Sequence, residues 1–209
     1  MAWALPLSGF IGWQHFARKD TVQDQRPDEG HVMEKLVPTA SDPIRLPDKN
    51  GIRVECNEIN LISLGECEDS FRLEVTIVPD SIGGSWAVGK GVGVFYGWNR
   101  LLESKTAYRT VDACMRKEGV RFFHRSWVQE GEHESASPID SEPEPINPNG
   151  RLVVEYMQGQ PSIITWDGIT LFDKPSRQPD NGKFGVYCNS GSVEFHDIRI
   201  NGKKFKLSP

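Results

Sequence analysis

The clearest pattern along the chain is a two-residue alternation from Phe71 to Val78: Phe71, Leu73, Val75 and Ile77 fall on one side, and Arg72, Glu74 and Thr76 on the other. That period describes a β-strand with one face on a core and one in water. Short runs rich in β-branched and aromatic residues then recur about every 8 to 15 residues, bounded by Gly, Pro, Asn and Asp. They predict strands at Ile52–Cys56, Ile59–Leu64, Val92–Trp98, Ala107–Met115, Val120–Val128, Leu152–Met157, Ser162–Asp167, Ile169–Asp173, Phe184–Cys188 and Ser192–Ile200. No amphipathic helical period stands out. About eleven strands fit two stacked antiparallel sheets, an all-β sandwich, better than one open sheet. The core is expected to hold Phe71, Leu73, Val75, Ile77, Phe184, Val186, Phe195, Ile198 and Ile200.

Two junctions carry turn chemistry. Asp167-Gly168 between apolar runs predicts a tight hairpin. In the last strand Val193 and Phe195 share one parity, and Ile198 and Ile200 the other, so a β-bulge at His196-Asp197 is expected to return both pairs to one face.

Residues 1–50 read as an apolar segment followed by a polar linker, and residues 51–209 as the sandwich. Residues 129–150 hold six acids and four prolines, the composition of a long exposed loop with little to bury. Ala2–Trp13 is apolar apart from Ser8 but falls short of the ~20 residues that span a bilayer, and it lacks the features of a secretory signal. It reads either as an arm or as the end of a longer membrane helix, with Trp13, Arg18 and Lys19 at the interface. Membrane attachment is expected only through this segment.

The 209 residues suit one large β domain, and a net charge of -5 with no dense Lys/Arg cluster argues against nucleic acid as a partner. The cysteines, Cys56, Cys67, Cys114 and Cys188, contain no CxxC pair. Cys56 and Cys67 sit on what read as neighbouring strands and would suit a disulfide in an exported protein; buried thiols are the other reading. The histidines form no ligand motif, so no metal site and no cofactor is expected.

The runs GRLVVEYMQGQPSIITWDGITLFDKP and GKFGVYCNSGSVEFHDIRINGKKF, with FRLEVTIVPDSIGGSWAVGKGVGVFYGW before them, resemble the concanavalin A-like lectin and glucanase superfamily. Within it they are most similar to the bacterial 3-keto-disaccharide hydrolase-like domains. The likeness covers Gly51 to Leu207 and implies a jelly-roll sandwich. It also implies a carbohydrate as the expected partner.

The chemistry it permits is narrower than the fold. Laminarinase-type members of the superfamily carry a Glu-x-Asp-x-x-Glu strand that places carboxylates on one face, and this chain has none. Glu194 and Asp197 come nearest, across the expected bulge. Gly84–Gly91 approaches a phosphate-binding loop but puts Gly91 where Ser or Thr is needed, and a strand follows instead of a helix. No catalytic residue is assigned. The large aromatics Tyr96, Trp98, Tyr108 and Trp127 lie on strands that can share a sheet and are the candidate platform for stacking a sugar ring. Gly93 and Gly97 flank Phe95 on the opposite parity to Tyr96, leaving room for close approach. The expected function is a carbohydrate-binding or adhesion-type module without catalysis. The alternatives are a glycoside-processing enzyme of the keto-disaccharide type and a structural protein-interaction domain.

Overall fold

The computed structural model describes residues 33–37, 41–82, 91–102, 105–116, 119–130, 133–141, 147, 149–172 and 181–206. Among these residues the chain forms β1 (Glu34–Lys35), β2 (Ile44–Leu46), β3 (Gly51–Cys67), β4 (Ser70–Ile82), β5 (Gly91–Leu102), β6 (Lys105–Arg116) and β7 (Gly119–Glu130). It continues through β8 (His133–Ser141), β9 (Gly150–Met157), β10 (Ile163–Trp166), β11 (Ile169–Phe172), β12 (Gly182–Ile200) and β13 (Lys203–Lys204). A 3-10 turn at Pro47–Lys49 is the helical element among the described residues. None of these residues forms a helix long and apolar enough to cross a membrane.

Two long strands organise the fold. The first half of β12 pairs with β5 and with the second half of β3; its second half pairs with β4 and with the first half of β3. Between the halves, Ser190 and Gly191 take positive φ angles of 69° and 150°, and the register slips. One sheet therefore runs β11-β10-β9-β4-β12-β3-β2, and the other β1-β3-β12-β5-β6-β7-β8. All the pairings are antiparallel. Where the sequence reading broke each of these strands in two, the chain runs on, because a bulge bends a strand from one sheet into the next without ending it.

The sheets face each other through side chains from both. Phe71 of β4 lies 6.1 Å from Tyr96 of β5, Phe122 of β7 lies 4.5 Å from Trp166 of β10, and His124 of β7 lies 5.4 Å from Phe172 of β11. Phe71, Leu73, Val75, Ile77, Phe184, Val186, Phe195 and Ile198 are buried there, as alternation requires, with Ile200 partly buried against them. Asp167 and Gly168 have φ of 47° and 83°, the positive pair of a two-residue hairpin turn joining β10 to β11. Asp197, at φ 48°, marks the bulge where the register between β12 and β4 slips from His196 to Arg199.

Three expectations are corrected. The polar stretch before Gly51 contributes β1 and β2, both paired with β3, and the acidic stretch contributes β8, paired with β7. Backbone pairing at a sheet edge needs no apolar side chains, which is why composition hid these strands. Cys56 and Cys67 stand on the same strand, roughly 35 Å apart at ~3.3 Å per residue. The disulfide instead joins Cys56 to Cys188, with Cα atoms 6.5 Å apart, across the bend that β3 and β12 share.

Candidate functional site

The outer faces of the two sheets differ in kind. On the first sheet the outward positions are charged and cross-linked. Arg72 pairs with Glu74 and Glu155, Arg151 with Glu74, and Arg53 with Glu55, Asp80 and Glu194. Glu194 also accepts from Lys49 at 2.6 Å and lies 2.7 Å from His196 Nε2, which holds its carboxyl below the usual range, the Lys49 hydrogen bond contributing most. With Glu194 so engaged and Asp197 exposed on the bulge, this pair does not form a two-carboxylate site.

The outer face of the second sheet is aromatic and closed. Leu61, Phe95, Tyr108, Trp127 and Tyr187 form a buried cluster there, with Leu36, Val37, Ile59 and Trp98 packed against its edge. The register explains the assembly. Leu61 of β3, Tyr187 of β12, Gly93 of β5, Asp112 of β6 and Phe123 of β7 stand in one cross-strand row. Gly93 leaves the position between Tyr187 and Asp112 without a side chain, and a Cβ there would lie 2.0 Å from the Val111 carbonyl oxygen.

Beside that row sits a buried polar network. Asp112 and Arg125 are 0% and 1% exposed and form an ion pair. Thr110 Oγ1 donates to Asp112 Oδ1 at 2.8 Å, and the Cys114 thiol to Oδ2 at 2.9 Å. Arg125 Nη2 lies 3.1 Å from Cys114 Sγ, and Trp127 Nε1 donates to Thr110 Oγ1 at 2.9 Å. The Arg125 guanidinium covers the Phe123 ring at 4.6 Å. Burial, and then the Asp112 charge, push the Cys114 thiol far up, so it stays protonated. Burial is the largest single influence and works against the Arg125 cation, but Asp112, Cys114 and Tyr187 together outweigh it and raise its pKa. Burial also raises the Tyr187 phenol, and the Asp112 charge adds to the effect. A network whose donors and acceptors answer one another suits a rigid floor better than proton transfer.

The structure divides the four aromatics of the expected platform. Tyr108 and Trp127 stack at 5.8 Å with planes 7° apart, 2% and 4% exposed. Trp98 is half-buried at the edge of the same cluster, with Lys183 Nζ 5.4 Å from its ring centre. Tyr96 points the other way, into the core between the sheets, where its hydroxyl lies 2.6 Å from His124 Nε2. Strict alternation put Tyr96 and Trp98 on one face; the register slip between Tyr96 and Asn99, with Gly97 at φ 65°, separates them.

Among solved structures, the carbohydrate-binding module CBM66 of Bacillus subtilis superposes with a TM-score of 0.54 at 18% identity, over 82% of this chain and 96% of that one. The fold is a concanavalin A-like jelly roll. An alginate lyase of Pseudomonas aeruginosa gives 0.43 at 13% identity, over 76% of this chain and 85% of that one. A galectin of Caenorhabditis elegans gives 0.38 at 14%, over 74% and 99%. No family model matches the sequence, and no curated protein does.

Sequence reasoning missed the jelly roll's buried network. A signal for it was present: Tyr108, Thr110, Asp112 and Cys114 share one parity on β6, so the strand's aromatic and its charge face the same way. Lys183, which pairs with Glu34 while covering Trp98, depends on β1, a strand that composition hid.

Among the described residues no group of three or more His, Cys, Asp or Glu side chains is arranged to hold a metal ion.

Proposed function

We propose that this jelly roll is a carbohydrate-binding module whose ligand approaches the outer face of the second sheet at Trp98. The indole is partly exposed where the closed cluster reaches solvent, and the Lys183 ammonium lies over its ring, so an aromatic surface and a cationic donor stand side by side for a pyranose. It packs against the buried cluster to which Tyr108 and Trp127 belong. The observation that carries this reading is the contrast between the sheets: one outer face is a lattice of ion pairs whose arginines reach solvent, and the other an aromatic cluster on a satisfied polar floor. The fold shared with a module named for carbohydrate binding supports it.

The alternative, a glycoside-processing enzyme of the 3-keto-disaccharide hydrolase type, draws less support. The buried carboxylates Asp112 and Glu74 are both held by arginines, an arrangement that leaves them occupied. The Cys56–Cys188 bridge supports an oxidising, extracytoplasmic setting. Attachment through the apolar N-terminal segment belongs to the same proposal and lies outside the described residues.

A glycan array probed with the intact protein tests the reading. Binding to a defined class of glycans that Trp98→Ala abolishes is expected; an array without signal overturns it.

A further inference from the structure

Two adjoining hollows lie away from Trp98, at the end of the first sheet where β4 begins and β9 finishes. One of about 380 Å3 is lined by Phe71, Arg72, Glu155, Met157, Gln160 and Ile163. A second of about 330 Å3 shares Ser70, Phe71 and Asn201 with it and continues toward the end of β3. Each is in the size range of small-molecule sites.

Met157 and Ile163 are 53% and 43% exposed on the wall of the first hollow, an apolar surface left in water. Next to them stands the Arg72–Glu155 ion pair, Glu155 lying across from Ile163 in the register, and Gln160 is also on the lining. The walls are held by the backbone. Gln160 N–H donates to the Met157 carbonyl at 3.0 Å, while Arg72 N–H donates to Asn201 Oδ1 at 2.9 Å and Asn201 N–H to the Arg72 carbonyl at 2.8 Å. The hollow therefore exists before a ligand arrives, and binding need not order it.

We propose that this hollow is a second saccharide subsite. One pyranose lies with its CH-rich face on Met157 and Ile163 and its hydroxyls toward the Arg72–Glu155 pair and the Gln160 amide. An ion pair and an amide together offer donors and acceptors to vicinal hydroxyls, whereas an acyl chain would strip water from these polar groups without replacing its hydrogen bonds. The choice of a sugar rests on the carbohydrate-binding reading above. The place does not, since the hollow is on the other sheet from Trp98. Two subsites on different sheets would let one polysaccharide chain, or two, engage the domain twice and gain avidity.

The test is a set of amide NMR spectra of the intact 15N-labelled protein, titrated with methyl α-glucopyranoside, methyl β-galactopyranoside and methyl α-mannopyranoside. Saturable shifts are expected at residues 70–72 and 155–163 with at least one of them. Ile163→Asp should weaken that response about tenfold, and Gln160→Ala, on an exposed turn, should weaken it without disturbing the fold. Trp98→Ala should leave it intact. Shifts near Trp98 alone overturn the second subsite and leave the function standing. Shifts in the hollow alone retain the subsite and overturn the Trp98 site. No shifts at either place overturn both.

Discussion

Replacing Arg125 by Met tests whether the outer floor of the second sheet is built as described. Arg125 and Asp112 are 1% and 0% exposed, so the substitution leaves a buried carboxylate whose partners shrink to the Thr110 hydroxyl and the Cys114 thiol. Removing one member of a buried pair costs about 3 to 5 kcal/mol, mostly the desolvation of the charge left behind. Asp112→Asn strands the guanidinium instead and should cost a similar amount. The double variant removes both charges and keeps an amide beside Thr110 and Cys114. It should therefore be destabilised by at least ~2 kcal/mol less than the sum of the single effects. Urea titrations followed by tryptophan fluorescence can measure this. With a slope near ~2 kcal/mol per molar, each single variant moves the midpoint by about 1.5 to 2.5 M. A loss below about 1 kcal/mol for Arg125→Met, or strict additivity in the double variant, would refute the reasoning.

Three further outcomes are expected. The variant Cys56→Ala/Cys188→Ala should lose about 2 to 4 kcal/mol in the same titration, because the bridge joins positions 132 residues apart; unchanged stability would show that the strand pairing alone holds the bend. In the native protein a thiol reagent should react with the partly exposed Cys67 well before the buried, protonated Cys114, and denaturant should expose both; equal native rates would contradict the buried network. Because Glu194 titrates in the folded protein below its ordinary 4.5, its contribution is present above that pH and lost as pH falls through the folded value. Wild type should therefore exceed Glu194→Gln by about 0.5 to 1 kcal/mol at pH 7, and the two should converge below about pH 4 in thermal melts; a gap that widens in acid would reverse the assignment.

The core was legible because alternation survives wherever one face is buried and the other wet, as from Phe71 to Ile77. The hairpin at Asp167-Gly168 and the bulge at Asp197 were legible because both show in residue type or parity. Continuity was not. Gly191 interrupts the pattern of β12 in the way a loop would, yet it carries the strand through a bend. The slip beyond Tyr96 was likewise silent, since neither Gly97 nor Trp98 announces on which strand the extra residue falls. Of the four candidate aromatics, Trp98, Tyr108 and Trp127 meet on one face and Tyr96 does not, and the charges beneath them come from strands whose order no local pattern encodes.

The most direct test of the central claim pairs calorimetric titration with thermal melting for wild type and Trp98→Ala, using the strongest glycan from the array. The account predicts that Trp98→Ala binds at least tenfold more weakly, a loss of ~1.4 kcal/mol or more, while its melting temperature stays within a few degrees of wild type because this indole is half-buried at the edge of its cluster. Unchanged affinity in a well-folded Trp98→Ala variant would contradict it.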